Sequence, residues 1–273
     1  MTSFSRKQIP VFVFLLALSL LACNVLAPGR DPYLAPVSAT APAPLVTDTV
    51  APALSQQVTL VSVPFSEDDP GNGYPKYTIS SQTPQLTGSN DPRVLAFNQR
   101  LNDLVNVQVD MWRHEFQRLP LTPLTNGSSL DVTYTLVSQM GDLWSLKIDF
   151  SFYADTAAHP GLNISTINYD LGQGRELTLG DLFLANSEFL EEIAYYSMVE
   201  LGKQPYADSI TFDGAQPVAE NYRTWNLAPD GLMITLGEYQ VAPYAAGPQT
   251  VIVPYSVLSA IIDPNGPLAM YLP

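Results

Sequence analysis

Between Val94 and Leu119 apolar residues recur at intervals of three and four: Val94, Phe97, Leu101, Val105, Val109, Trp112, Phe116, Leu119. That period places them on one stripe of a long helix with a polar opposite face. Asp91 before Pro92 supplies an N-cap carboxylate and a proline at the first helical position, and Pro120 ends the run. Val105, Val107 and Val109 are poor helix formers, so packing of the stripe must hold this helix. The period then drops to two. Leu130, Val132, Tyr134 and Leu136, followed by Trp144, Leu146, Ile148, Phe150 and Phe152, alternate with polar residues across Met140-Gly141-Asp142. Such a pattern predicts an antiparallel hairpin with one buried face, against which Trp112 and Phe116 pack.

The second half of the chain keeps this character. Leu162 to Asp170 alternates, Gly172-Gln173-Gly174 turns, and Leu177-Thr178-Leu179 extends again. Ser187 is placed to cap a helix carrying Leu190, Ile193, Ala194, Met198 and Leu201 on one face, with Gly202 closing it. Strands are expected at Thr224–Leu227 and Leu232–Leu236 around Pro229-Asp230-Gly231, then at Thr250–Val253, before a short apolar helix from Ser256 to Ile262. Near the start, Val58 to Val63 and Tyr74 to Ile79 flank an acidic turn, Glu67-Asp68-Asp69-Pro70-Gly71-Asn72-Gly73. The expected fold is α+β: antiparallel sheets in hairpins packed by one long and one or two shorter helices, without βαβ alternation. The acidic turn lacks the bidentate glutamate of an EF-hand loop and reads as a solvated hairpin turn; no metal site and no cofactor are expected.

The first residues obey different rules. Arg6-Lys7 precedes an apolar run, Val11 to Ala22, too short to cross a bilayer comfortably, and Leu20-Leu21-Ala22 leads into Cys23, the chain's one cysteine. A basic start, a short apolar core and a small residue before cysteine are the parts of a bacterial lipoprotein signal, with the Cys23 thiol as the lipid acceptor. Residues 24–57 hold six prolines (Pro28, Pro32, Pro36, Pro42, Pro44, Pro52) among Ala, Thr and Val, and read as an extended tether. At ~3.1 Å per residue it reaches up to ~100 Å. The expected organisation is a signal peptide at 1–23, the tether at 24–57, an N-terminal α+β subdomain at 58–155 and a C-terminal one at 156–273.

Charge narrows the partners. The chain has 12 Lys+Arg against 26 Asp+Glu, a formal −14. Removal of 1–23 takes away Arg6 and Lys7 and no acid, leaving −16. A surface this acidic repels nucleic acid and anionic headgroups, so attachment to the membrane must come from acyl chains; a basic protein is attracted. Without Cys23 no thiol remains for disulfides or metal.

A catalytic constellation is not evident. The two histidines, His114 and His159, have no metal-ligand spacing, and glycine-rich phosphate loops and nucleophile elbows are missing. His114 sits beside Glu115 off the apolar stripe and reads as a surface residue. His159, in Thr156-Ala157-Ala158-His159-Pro160-Gly161, either braces a tight turn or touches a ligand. Asp68-Asp69 and Glu191-Glu192 are adjacent carboxylates, and read as solvated charge. The densest cluster is Gly237-Glu238-Tyr239-Gln240-Val241-Ala242-Pro243-Tyr244-Ala245-Ala246-Gly247-Pro248, directly after a strand. Tyr239 and Tyr244 either offer rigid contact surface to a ligand or cover the core. The candidate binding residues are therefore His159, Glu238, Tyr239 and Tyr244.

Several motifs together resemble a known family. His159-Pro160-Gly161, Asn168-Tyr169-Asp170-Leu171 with Gly174-Arg175-Glu176-Leu177, Leu179-Gly180-Asp181-Leu182-Phe183, Asp230-Gly231-Leu232, the Glu238–Gly247 loop and Val253-Pro254-Tyr255 look like the signature of one extracytoplasmic domain. It is similar to the ectodomain of the lysozyme-sensing anti-sigma factor of sigma-V and to the non-catalytic N-terminal region of some peptidoglycan deacetylases. Tyr74-Pro75 and the long helix with Asn98 resemble the domain that accompanies it upstream. The resemblance covers roughly residues 58–262. It implies a lipid-anchored binding or sensor module of the cell envelope, on the extracytoplasmic face, with a lysozyme-like protein or wall glycan as ligand and no catalysis carried over. The alternatives are an enzyme acting on wall glycan through carboxylates and His159, and a structural accessory lipoprotein.

Overall fold

A computed structural model describes residues 53–68, 76–119 and 127–269. Cys23, nearly all of the expected tether and most of the acidic turn lie outside the described residues. The chain divides into Met1–Thr49 and Val50–Pro273, and every described residue belongs to the second unit.

Two strands, β1 (Thr59–Asp68) and β2 (Tyr77–Thr87), open the fold as an antiparallel pair. α1 (Pro92–Arg118) starts as the sequence indicates: the Asp91 side chain accepts from the Arg93 N–H, with Pro92 in the first turn. Val94, Phe97, Leu101, Val105, Val109 and Phe116 of its stripe are buried. β3 (Ser128–Met140) and β4 (Leu143–Tyr153) form the expected hairpin, and β5 (Gly161–Asp170) and the two-residue β6 (Arg175–Glu176) complete a six-stranded sheet ordered β1-β2-β3-β4-β5-β6. The helix and the sheet enclose one core, where Phe97 meets Tyr169 edge-on at 5.1 Å and Trp112 stacks on Phe152 at 3.9 Å.

α2 (Phe189–Leu201) and a three-stranded antiparallel sheet, β7 (Trp225–Ala228), β8 (Gly231–Leu236) and β9 (Gln249–Pro254), form a second core together with the short α3 (Tyr255–Leu258). Buried hydrogen bonds join β7 to the large sheet. Asn168 Nδ2 donates to the Trp225 carbonyl (2.8 Å), Asn168 Oδ1 accepts from Ser145 Oγ (2.7 Å), and Asn226 Nδ2 donates to Ser145 Oγ (2.9 Å) and the Leu146 carbonyl (3.0 Å). Pairing these groups is the condition for burying them without a penalty.

The fold is mixed α+β, with departures from the expected details. β2 and β3 pair in parallel, so β2–α1–β3 is a crossover unit inside an otherwise antiparallel sheet. The large sheet also continues through the expected division at 155/156, because β5 pairs with β4, and the second core takes in Leu143 of the β3–β4 hairpin as well as residues from Leu177 onward. Leu54, assigned to the tether, is buried, and the Ser55 N–H donates to Asp142 Oδ1 (2.8 Å). β4 is covered on both faces at its start, where Ser145 packs toward β7. Leu136 is exposed although it pairs in regular register opposite the buried Leu146; the register shifts only beyond it, between Leu136 and Ser138. Trp112 is half-buried, and Phe116 is the fully enclosed ring. Glu67 is no solvated turn residue: it accepts from Tyr77 Oη (2.6 Å) and from Arg113 Nε and Nη2 (2.9 and 2.6 Å). Ser187 caps nothing, since the cap position of α2 is Glu188. Thr178 and Asp181 instead form a capping box on the turn at Leu179–Leu182, where an extended segment was expected.

Candidate functional site

The candidate residues from separate parts of the sequence meet on one side of the molecule. β5 begins directly after His159-Pro160, and β8 runs into a tight turn in which the Gln240 N–H donates to the Gly237 carbonyl (3.1 Å). Tyr239 sits in that turn with φ +61°, a left-handed backbone that a bulky side chain rarely adopts. Gln240 fixes the turn: its Oε1 accepts from the Gly237 N–H (2.8 Å) and its Nε2 donates to the carbonyls of Gly214 (2.9 Å) and Asn221 (3.0 Å). Gly214 has to be glycine there, because a Cβ would lie 1.9 Å from the Gln240 carbonyl oxygen.

The turn projects Tyr239 toward His159. The His159 imidazole stacks on Tyr244 with centroids 3.8 Å apart and lies 6.4 Å from Tyr239, and the two tyrosine rings are 5.7 Å apart. Nδ1 lies 2.8 Å from the Pro160 carbonyl oxygen, which can only accept, so Nδ1 carries the proton. Nε2 lies within hydrogen-bond distance of the Tyr239 hydroxyl (3.1 Å). Tyr244 Oη donates to the same Pro160 carbonyl (2.9 Å). Both ring nitrogens are thus engaged, and what the cluster turns outward is aromatic surface. His159 is exposed, Tyr239 is 61% exposed and Tyr244 is half-buried. Neither tyrosine belongs to the enclosed cores.

Glu238 ties this cluster to the neighbouring cleft. Its Oε2 accepts from the Leu162 N–H of β5 (3.1 Å). Beside it opens a cleft of about 740 Å³, with β5 from Leu162 to Thr166 along its floor. Arg100, Leu104 and Gln108 of α1 form one wall; Thr224, Thr235 and Gln240 belong to the other, with Glu220, Arg223 and Glu238 adding charge. Arg100 is neutralised by Glu176 (Nε to Oε2, 2.6 Å). These walls gave no sequence signal: Gln108 is one polar residue on a helix and Thr235 one polar residue within a strand. His114 stays apart, exposed on α1 with Nδ1 2.6 Å from the Asp110 carbonyl. Among the described residues no three His, Cys, Asp or Glu side chains are grouped to hold a metal ion, and no helix is long and apolar enough to cross a membrane.

Known proteins share parts of this architecture. Residues 180–256, which include α2, the small sheet and the Glu238–Tyr244 loop, match the DUF3298 family, described as a protein of unknown function. Over 159 residues the chain is 23% identical to the peptidoglycan-N-acetylmuramic acid deacetylase PdaC of Bacillus subtilis, covering 57% of this chain and 34% of that protein. The chain therefore spans about a third of that relative's length. Two solved structures share the fold. A DUF3298 family member from Bacteroides fragilis aligns with TM-score 0.55 at 14% identity, covering 78% of this chain and 96% of that one. A DUF3298 family protein from Pseudomonas aeruginosa aligns with TM-score 0.57 at 18% identity, covering 76% and 95%.

Proposed function

We propose that this chain is a non-catalytic binding module of the bacterial cell envelope, held at the extracytoplasmic face by a lipid on Cys23. Its ligand, a lysozyme-like protein or a wall glycan, is taken at the cleft and its aromatic rim. The observation that carries the reading is the convergence of His159, Glu238, Tyr239 and Tyr244: one exposed aromatic cluster, locked by hydrogen bonds, beside a cleft. Pre-organised aromatic surface gives contact area at little entropic cost and concentrates binding energy in few residues. The wall-directed activity in the name of the Bacillus subtilis relative supports an envelope setting. The formal charge of −14 favours encounter with a basic partner.

Titration calorimetry of the full chain in detergent, with hen lysozyme and with soluble wall glycan fragments in turn, tests this. Binding of one of them, weakened at least ~10-fold by Tyr239→Ala or Tyr244→Ala, is expected. Failure of both ligands to bind, or release of deacetylated or cleaved glycan by the purified protein with or without divalent metal, overturns it.

A further inference from the structure

The floor of the cleft is an unpaired strand edge. In a β-strand the N–H and C=O of one residue point to the same side, and successive residues alternate. On β5 the even-numbered residues point away from β4: the Asn168 carbonyl accepts from the Leu177 N–H (2.7 Å), the Asp170 carbonyl from the Gly174 N–H (2.8 Å), and the Leu162 N–H is taken by Glu238. Leu171, odd-numbered, donates to Asp142 at the β4 side (2.8 Å). By that alternation Ile164 and Thr166 aim both main-chain groups outward. β6 pairs only with Tyr169 and Asp170, so it does not reach them. The free window is bracketed by Glu238 at Leu162 and by Leu177 at Asn168.

Two further observations point to a ligand in the same place. Gln108 Oε1 on the helix wall and Thr235 Oγ1 on the opposite wall are buried atoms with no hydrogen-bond partner, and Thr235 is only 3% exposed. Buried polar atoms are normally satisfied, so each is available to a polar partner. The other edge of the sheet differs. β1 carries Pro64 in its middle, which blunts a strand edge, whereas residues 161–167 of β5 contain neither proline nor charge.

We infer, resting on the binding reading above, that the ligand is an extended, cationic polypeptide segment of a partner protein, which adds as a strand to β5 at Ile164 and Thr166. Alternate side chains of that segment enter the two walls, toward Leu104 and Gln108 on one side and Thr224 and Thr235 on the other. Main-chain pairing supplies affinity without sequence dependence, and the orphan polar atoms select among side chains. With Arg100 paired to Glu176, Glu220 and Glu238 outnumber Arg223 in the cleft, and together with the net charge of −14 they favour lysine or arginine flanking the paired residues.

The test uses the full chain in detergent and a displayed library of random linear twelve-residue peptides. Selected peptides enriched in Lys or Arg are expected, and with the tightest one bound, amide hydrogen exchange should slow at Ile164 and Thr166. Asn163 and Ser165, already bonded to β4, should change little. Thr166→Pro removes one outward N–H while leaving the β4 ladder intact, and should weaken the peptide at least ~10-fold. Should that variant misfold, the exchange measurement on the unaltered chain decides. Protection elsewhere on the molecule, or peptide affinity unchanged in a folded Thr166→Pro, overturns the inference. Glycan fragments that bind where no peptide does overturn it too, yet leave the binding reading standing. Lack of binding by peptide, glycan and lysozyme alike overturns both.

Discussion

His159 stacks on Tyr244 at 3.8 Å, and the pair shares the Pro160 carbonyl as acceptor for His159 Nδ1 and Tyr244 Oη. One peptide carbonyl, directly before the strand that begins at Gly161, therefore fixes both rings. Loop and strand edge are coupled through this contact and through the bond from Leu162 to Glu238.

Tyr239 holds its position against a backbone cost. Left-handed φ costs a non-glycine residue about 1–2 kcal/mol, and its ring is too exposed to recover that by burial. Tyr239→Gly should leave stability unchanged or raise it by up to about 1 kcal/mol in urea denaturation, while ligand affinity falls. A stability loss above about 2 kcal/mol would mean that the ring is a packing element.

The join between the two sheets should be far less tolerant. Asn168→Ala deprives the buried Trp225 carbonyl of its donor and the Ser145 O–H of its acceptor, at a cost of about 1–3 kcal/mol. Asn163→Ala, on the same strand but exposed, should cost less than about 0.5 kcal/mol. Equal urea midpoints for the two variants would show that the polar join contributes little.

Legibility in the sequence follows the range of each interaction. The α1 stripe and the β3–β4 hairpin are local, and Val94, Phe97, Trp144 and Ile148 lie where their periods put them. Parallel pairing of β2 with β3 is set by the crossover of α1, and no local pattern records it. Leu136 keeps both its alternation and its register opposite Leu146, yet it is exposed, because burial depends on what packs over a strand and not on its period alone. Thr178 and Asp181 did carry a local capping signal, which the apolar residues around them obscured. For the candidate site, composition was enough to mark His159, Glu238, Tyr239 and Tyr244. The cleft walls were illegible because Gln108, Thr235 and Glu220 meet only through long-range packing.

Acid should weaken the fold partly through Glu67. Hydrogen bonds from Arg113 chiefly, then from Tyr77, and the Arg113 charge hold its carboxyl below the usual 4.5, against the opposing effect of burial. A group whose folded pKa is depressed stabilises above its unfolded value and loses that contribution as pH falls through the folded one. Asp91, held at about 2 by Arg93, acts in the same direction at lower pH. Glu67→Gln should therefore be less stable than the parent at neutral pH and show a flatter decline below pH 4.5. Parallel curves of urea midpoint against pH would contradict this.

The lipid reading makes a separate demand on Cys23. Cys23→Ser should abolish incorporation of radiolabelled palmitate in a bacterial host and leave unprocessed or released protein. Labelling that survives the change, or a mature N-terminus upstream of residue 23, removes the anchor from the proposal.

Gly214 offers the sharpest test of how the aromatic rim is held. It lines neither the cleft nor the ring cluster, yet its carbonyl accepts from Gln240 and its Cα lies against the Gln240 backbone. In Gly214→Ala the new methyl would meet the Gln240 carbonyl oxygen at 1.9 Å and its carbon at 2.7 Å; these are backbone atoms, so the chain itself has to move. Overpacking of this kind costs about 1–3 kcal/mol. Because Gln240 also fixes Gly237, the shift passes into the turn that carries Glu238 and Tyr239. Gly247→Ala is the control: φ is +65° there, but nothing lies within 4 Å of the added carbon, so only local strain results. The expected result is that Gly214→Ala displaces the His159 ring resonances in NMR spectra and lowers ligand affinity, whereas Gly247→Ala costs about 1–3 kcal/mol and leaves those resonances in place. If the His159 signals are unmoved in a folded Gly214→Ala protein, the Gln240 clamp is not what positions the rim.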